Sequence, residues 1–228
     1  MRSVKFQLYK PVAELRETNR GAPAWLHELR NMRSNILYAD GRRPAFGPGG
    51  NHLGDPCPRD DHSFHITVRV DERLVGCIRG LPLSCNRSSA VLDDVMGHGK
   101  LDYCLSALNV KRDHCIEVSR LLLDTEYRTS HLARHLVASI WAMGWQLGAA
   151  MIVAGLGTRD YQDRFIARLG GKPLPHSDAV PAPAFDDDIR PMYAWSNAPG
   201  HGIVAMVHKM HDYFFGKEDV LPPLAEAV

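Results

Sequence analysis

Residues 115–156 read CIEVSRLLLDTEYRTSHLARHLVASIWAMGWQLGAAMIVAGL. From Cys115 to Leu123 polar and apolar residues alternate at first, and the last half is continuously apolar, the pattern of a strand. Ser130 then stands as the cap of a helix running to about Leu147. Leu132, Leu136, Ile140, Met143 and Leu147 share one stripe of it, and Gly148 is its terminator. Met151 to Leu156 is an unbroken apolar run, as in a strand buried on both faces of a parallel sheet. Tyr161 to Leu169 reads as a second helix, closed by Gly170 and Gly171. The order strand, loop, helix, strand, helix places the chain in the α/β class.

Upstream, Phe64, Ile66, Val68 and Val70 alternate with polar neighbours, Asp71-Glu72 makes a tight turn, and Leu74 to Leu81 returns as a hairpin partner. A short helix is expected near Leu101 to Leu108. At the N-terminal end, Val4 to Tyr9 reads as an edge strand. Trp25, Leu26, Leu29, Met32, Ile36 and Leu37 follow at helical spacing behind Pro23, which a first helical turn tolerates. Residues 41–58, GRRPAFGPGGNHLGDPCP, are too rich in Gly and Pro for regular structure and read as a lid or binding loop. Residues 172–228 are less regular, with a Pro-rich acidic stretch, a strand at Met192 to Trp195, a helix from about Ile203 to Phe215, and Asp186-Asp187-Asp188 as a solvated loop. The expectation is a single domain over 1–228, with a Gly/Pro-rich loop at 41–60 and a less regular C-terminal part at 172–228.

Composition narrows the function. With 228 residues, 45% hydrophobic and 23% charged, extended disorder is excluded. No apolar run is long enough for a spanning helix. Lys and Arg number 27 against 26 Asp and Glu, so no bulk field draws in nucleic acid or an anionic membrane. MRSVKFQLYK lacks the apolar block of a secretory signal, which implies a cytoplasmic protein. Five cysteines without a C-x-x-C pair argue against a disulfide framework or a zinc-thiolate site. His131 and His135 stand at i, i+4 without the glutamate of a zinc protease helix, so no metal is expected. His62 and His65 either place two imidazoles near Asp60 and Asp61 or, the favoured reading, are solvated, and His208 and His211 read as surface.

Charges on the strands carry the chemistry. Glu117 and Ser119 share one face of an otherwise apolar strand, with Arg120 beside them, and Arg79 interrupts Val75–Leu81 in the same way. A charge in mid-strand must be paired or reach a cleft. Asp60 and Asp61 precede the partner strand. Arginines clamp a carboxylate or lactone oxygen, and carboxylates hold or deprotonate an amine, so this inventory suits an amino-acid-like ligand; a structural ion pair is the other reading. Arg128 and the free amides near Ser130 and His131 form a strand-to-helix junction that either holds a pyrophosphate or a phosphopantetheine arm or is an ordinary capped helix. It has no G-x-x-x-x-G-K and no G-x-G-x-x-G. Trp141, Trp145, Met151, Ile152 and Phe165 either line an acyl tunnel or are plain core.

Gly76-x-x-Arg79-x-x-Pro82 and Glu117-x-Ser119-Arg120, with Arg30 and Arg33 on the preceding helix, resemble the acyl-homoserine-lactone (autoinducer) synthases and the related long-chain N-acyl amino acid synthases of the GNAT superfamily. The likeness covers roughly residues 25–170. It implies a GNAT-like α/β fold, a mixed central sheet flanked by helices. It also implies acyl transfer from a thioester of acyl carrier protein or coenzyme A to the amine of an amino acid or homoserine-lactone-like acceptor, with no permanently bound cofactor. Autoinducer synthases make quorum-sensing signals by this reaction.

In those families the glutamate matching Glu117 is implicated in deprotonating the amine, and Ser119 and Arg120 complete its motif. The arginines matching Arg79 and Arg120 and the acidic residue matching Asp61 shape the cleft, with Arg30 and Arg33 nearby. Arg30 and Arg33, with Arg42 and Arg43, either dock an acidic carrier protein or form a solvated helix face. Leu121 to Leu123 are placed to offer backbone N–H groups to the developing oxyanion. The GNAT phosphate loop R/Q-x-x-G-x-G/A stands here as Arg128-x-x-His131-x-Ala133, and the common GNAT tyrosine acid would fall near Ile166. Both departures favour a carrier-protein donor over acetyl-CoA. The tryptophan that follows the first helix in autoinducer synthases is replaced by the Tyr38–Asp40 region, which weakens homoserine lactone as acceptor. An acetyl-CoA-dependent acetyltransferase and a non-catalytic acyl- or amino-acid-binding regulator are the rival readings.

Overall fold

The computed structural model describes residues 3–12, 22–42, 57–84 and 90–216. Along the chain lie β1 (Val4–Tyr9), α1 (Ala24–Ala39), β2 (Phe64–Val70), β3 (Arg73–Pro82), α2 (Val91–Met96), α3 (Lys100–Ser106) and β4 (Cys115–Leu123). They are followed by α4 (Leu132–Gln146), β5 (Met151–Gly157), α5 (Gln162–Arg168), β6 (Lys172–Pro173), β7 (Val180–Ala182), β8 (Asp187–Trp195) and α6 (Val204–Phe215). The strands make an eight-stranded mixed sheet in the order β1-β2-β3-β4-β5-β8-β6, with β7 also on β8, and helices flank it. Two compact units emerge, residues 1–79 with 120–136 and residues 80–119 with 137–228.

In the first unit β1 pairs antiparallel with β2 from Val4↔Val70 to Tyr9↔His65. The turn into β3 holds Asp71 at φ 48° and Glu72 at φ 63°, the doubly left-handed form that matches strand twist. A Cβ on Gly76 would lie 2.4 Å from Leu123 Cδ2 and 2.9 Å from the Leu122 carbonyl oxygen, so β3 and the end of β4 touch because that residue has no side chain. α1 buries Leu26 and Leu29 against Val12 and Cys77, while its Arg33 and Ser34 are buried too.

In the second unit β4 and β5 run parallel from Cys115↔Met151 to Val118↔Ala154, and the ladder stops there although β5 continues to Gly157. On one face of the sheet Leu81, Leu83, Cys115, Met151 and Val153 pack with Leu92 of α2 and Leu101, Cys104 and Leu105 of α3. On the other face, a Cβ on Gly80 would meet Met143 and Ile140 of α4. The expectation of a less regular C-terminal part is corrected in its first half. β8 runs antiparallel to β5 from Met151↔Trp195 to Gly157↔Ile189 and also pairs β6 and β7. Its end, Met192–Trp195, reads as a strand, while Pro191 and the Asp run disguise its first half. β8 carries Pro191 because the role of that residue there is to accept, from Leu174 N through its carbonyl. Asp187 is likewise no solvated loop residue: its Oδ1 accepts from Thr158 N (3.1 Å) and Arg159 N (3.0 Å). α2 was not anticipated from sequence. No helix among the described residues is long and apolar enough to cross a membrane.

Candidate functional site

Among the described residues, each unit holds a buried charged cluster. In the first, Pro58–His62 forms a 3-10 turn that drives Asp60 inward. Its Oδ1 accepts from Arg33 Nη1 (3.1 Å) and Arg79 Nη1 (2.9 Å), and its Oδ2 from Arg33 Nη2 (2.6 Å) and Arg30 Nε (3.1 Å). Arg30 and Arg33 reach it together because a spacing of three puts them on one face of α1. The side chains of Asp60, Arg33 and Arg79 are 0% exposed. Burial by itself would raise the Asp60 carboxyl, but the hydrogen bonds and charge of Arg33, with the charge of Arg79, hold it well below the ordinary carboxylate range. Asp61 is peripheral, 3.8 Å from Arg30 Nη2, so the carboxylate that organises this unit is Asp60.

Two further groups close around Asp60. His65 is 1% exposed and its Nε2 lies 2.9 Å from the Asp60 carbonyl, which corrects its reading as a solvated histidine. A carbonyl can only accept, so Nε2 carries the proton. Burial, helped by the charges of Arg33 and Arg79, pushes the imidazole down to about 4 against the pull of Asp60. Cys57 Sγ lies 3.1 Å from Arg79 Nη1. Burial would raise its thiol, yet the charge and hydrogen bond of Arg79, with the charge of Arg120, bring it below its ordinary value.

The second cluster centres on Glu117, 0% exposed in mid-β4. Its Oε2 accepts from Val91 N and its Oε1 from Leu92 N, both at 2.8 Å, at the start of α2. Each end of the carboxylate is therefore fixed by one amide of a helix N-terminus, where an anion is favoured. Glu117 is also the last residue but one of the β4–β5 ladder.

These clusters sit in a fold with known counterparts. The sequence matches the model of a family described as an acetyltransferase (GNAT) domain over residues 49–138. No curated protein matches the chain in sequence. Among solved structures, the CoA-dependent acyl-homoserine lactone synthase BjaI with MTA is similar with a TM-score of 0.63 and 15% identity, covering 97% of this chain and 93% of that one. FeeM, an N-acyl amino acid synthase from uncultured soil microbes, gives a TM-score of 0.57 and 12% identity over 86% and 93% of the two chains. The acyl-homoserine lactone synthase LasI gives 0.56 and 12% over 87% and 91%. This chain has the GNAT fold.

Along the GNAT β4 strand, Ser119 and Arg120 are half-buried, and Arg120 adopts the left-handed φ of 57° that a side chain rarely takes. Its carbonyl accepts from Cys77 Sγ at 3.4 Å. Leu121 is half-buried, and Leu123 is buried with its carbonyl accepting from Arg128 Nε at 3.1 Å. Arg128, where the GNAT phosphate loop would begin, also places Nη2 on both oxygens of Asp40 (2.8 and 2.6 Å), so its guanidinium already has a carboxylate. Ser130 is a helix cap: its hydroxyl donates to the Tyr127 carbonyl and accepts from Leu132 N at 3.2 Å. His131 is exposed, and its carbonyl accepts from His135 N at 3.2 Å.

The five residues read as an acyl tunnel do not share a wall. Met151 belongs to the core cluster with α2 and α3, whereas Ile152 is the residue that a Cβ on Gly144 of α4 would meet at 3.7 Å. Period-two alternation on β5 sends these neighbours to opposite faces. Trp141 and Trp145 of α4 donate through Nε1 to the carbonyls of Trp195 and Ser196, and Phe165 is half-buried on α5. His208 and His211 lie against the Trp145 ring, at 5.0 and 6.2 Å between centroids. Sequence reasoning missed Cys57, His65, the primacy of Asp60 and the α2 amides. Only Pro58 followed by Asp60 and Asp61 hinted at the turn. Arg43 and the rest of the Gly/Pro-rich loop from 43 to 56 lie outside the described residues. No group of three or more His, Cys, Asp or Glu among the described residues is placed to hold a metal ion.

Proposed function

We propose that the protein is an N-acyltransferase that moves an acyl group from a thioester to the amine of an amino acid or homoserine-lactone-like acceptor. The observation that carries this reading is a buried carboxylate, Glu117, held by two amides on the strand whose parallel ladder stops one residue later, in a GNAT fold. An amine attacking a thioester must be neutral, and the collapsing intermediate needs donors for its oxyanion. Two amide contacts orient the Glu117 carboxylate. It takes the amine proton, directly or through a water. Ser119 and Arg120 continue the motif beside it, and the backbone from Leu121 to Leu123 assists the oxyanion. Within the first unit Asp60 locks Arg33 and Arg79 in place.

The donor thioester is carried by acyl carrier protein or by coenzyme A, and Arg128, Ser130 and His131 meet its phosphopantetheine arm. BjaI is described as CoA-dependent and has been solved with SAM and isopentyl-CoA, which supports including both carriers in the assay. Purified protein is given acyl-carrier-protein or acyl-CoA thioesters of varied chain length and a pool of amino acids and SAM. Release of free thiol with an N-acyl product by mass spectrometry supports the reading. Turnover of acetyl-CoA alone would mark an ordinary acetyltransferase, and silence with every donor would mark a non-catalytic binder. Glu117→Gln is expected to lower turnover about 100-fold; near-wild-type turnover would reduce Glu117 to a structural anchor for α2.

A further inference from the structure

Three successive backbone amides at the start of α2 are claimed by carboxylates. Val91 N and Leu92 N donate to Glu117, and Ala90 N donates to Asp93 Oδ2 at 3.1 Å. Asp93 is gripped in turn by Arg112, whose Nη1 and Nη2 lie 2.7 and 2.8 Å from its two oxygens. The same guanidinium donates from Nε and Nη2 to the Asp102 carboxylate of α3, at 2.8 and 3.0 Å. Arg112 stands five residues before Glu117, in the 3-10 turn that feeds β4. The contacts therefore close a ring: Glu117, the α2 amides, Asp93, Arg112, and back along the chain to Glu117.

The ring has a physical task. α2 has six residues, too few to hold a helical conformation on its own strength. Its amides point at Glu117 when side-chain contacts set its start. Asp93 does this from within the first turn, and the bidentate fork of Arg112 fixes Asp93 in the plane of two parallel hydrogen bonds. The pair is largely shielded from water, with side-chain exposures of 9% for Arg112 and 7% for Asp93, so it is not a screened surface bridge. Asp102 is a solvent-facing contact at 56% and serves as the outer tether.

We infer that Arg112 and Asp93 are positioning residues for Glu117, setting through the α2 amides where its carboxylate stands. The inference rests on the proposed acyltransferase reading for its effect on rate, but the placement of the carboxylate is measurable without turnover.

The test uses the full-length protein and the thioester assay above. Arg112→Gln and Asp93→Asn are expected to lower kcat by roughly tenfold to a hundredfold, the scale of a small misplacement of a reacting group, with KM for the donor within twofold of wild type. Arg112→Lys, which keeps the charge but loses the fork, should fall between wild type and Arg112→Gln. In a Glu117→Gln background the Arg112→Gln change should cost nothing further, because the group it positions has gone. An equal loss in both backgrounds, or an unchanged kcat, overturns the inference. Amide NMR supplies the second readout. The Val91 and Leu92 N–H signals should move and lose exchange protection in Arg112→Gln, and the same two signals should move in Glu117→Gln. Unchanged signals and protection in Arg112→Gln overturn the inference whatever the assay shows, whereas a wild type without turnover overturns only the function reading. Should Asp93→Asn unfold, Arg112→Lys and Asp102→Asn, which loosens only the outer tether, carry the same comparison with smaller losses.

Discussion

A single atom group decides the first cluster. Asp60 gathers three guanidiniums on one carboxylate, and removing its charge would leave Arg33 and Arg79 buried without their shared anion. Asp60→Asn is therefore expected to lower stability by about 3–5 kcal/mol, the cost of breaking a buried pair, read as a fall in the urea midpoint. Asp61→Asn, with its partly exposed 3.8 Å contact, should cost under about 1 kcal/mol. His65 adds a pH dependence. Its folded value, about 4, lies below the ordinary 6.5. Between those values the unfolded chain binds a proton that the folded chain refuses, so this stabilising contribution is present above 6.5 and fades as pH falls toward 4. The wild type should lose urea resistance through that window, and His65→Gln should lose less; parallel pH curves would remove His65 from the account. The thiols differ in the same physical way: burial pushes Cys115 up to about 12, whereas Arg79 draws Cys57 down.

Elements show where local preference was obeyed and where it was overruled. Alternation, a tight turn and a capped amphipathic stripe made β2, β3, β4, α4 and β5 readable, because those signals are short-range. The Asp71-Glu72 turn is readable but suboptimal, since glycine suits a φ of 63° better than glutamate does. The Glu72 carbonyl accepts from Arg69 Nη1 at 2.9 Å, a contact glycine would keep. Glu72→Gly should raise stability by about 0.5–1 kcal/mol, a few degrees of Tm; a fall would show that the side chain contributes more than the backbone gains. Gly76→Ala should act in the opposite direction, by about 1–3 kcal/mol, since its Cβ would press on Leu123 and the Leu122 backbone. β8 was legible only at its end, Met192–Trp195, and α2 not at all, for opposite reasons. β8 carries residues that signal loops, and α2 is too short to show a period.

At the scale of the whole molecule, the two units are not consecutive pieces of chain. Residues 120–136 return to complete the unit begun by residues 1–79, and the crossings at 79/80, 119/120 and 136/137 fall inside β3, β4 and α4. No linker marks them, which is why a single domain was the natural reading of the sequence. A fragment ending at residue 84 would lack the Asp124 N to Val75 carbonyl bond (2.8 Å), the Leu123 side chain against Gly76 and the Arg128–Asp40 pair. It should therefore show no dispersed amide NMR spectrum, and a folded fragment would refute the non-contiguous unit.

The sequence by itself determined the α/β class, the elements β2, β3, β4, α4 and β5, and which charged residues interrupt apolar strands, because periodicity and charge in a strand are local properties of the chain. Only the tertiary structure decided that Asp60 rather than Asp61 holds the arginines, that Met151 and Ile152 face apart, and that Glu117 meets the amides of α2. Those choices depend on contacts between residues distant in sequence, and a one-residue change of facing is invisible until a partner surface exists to select it.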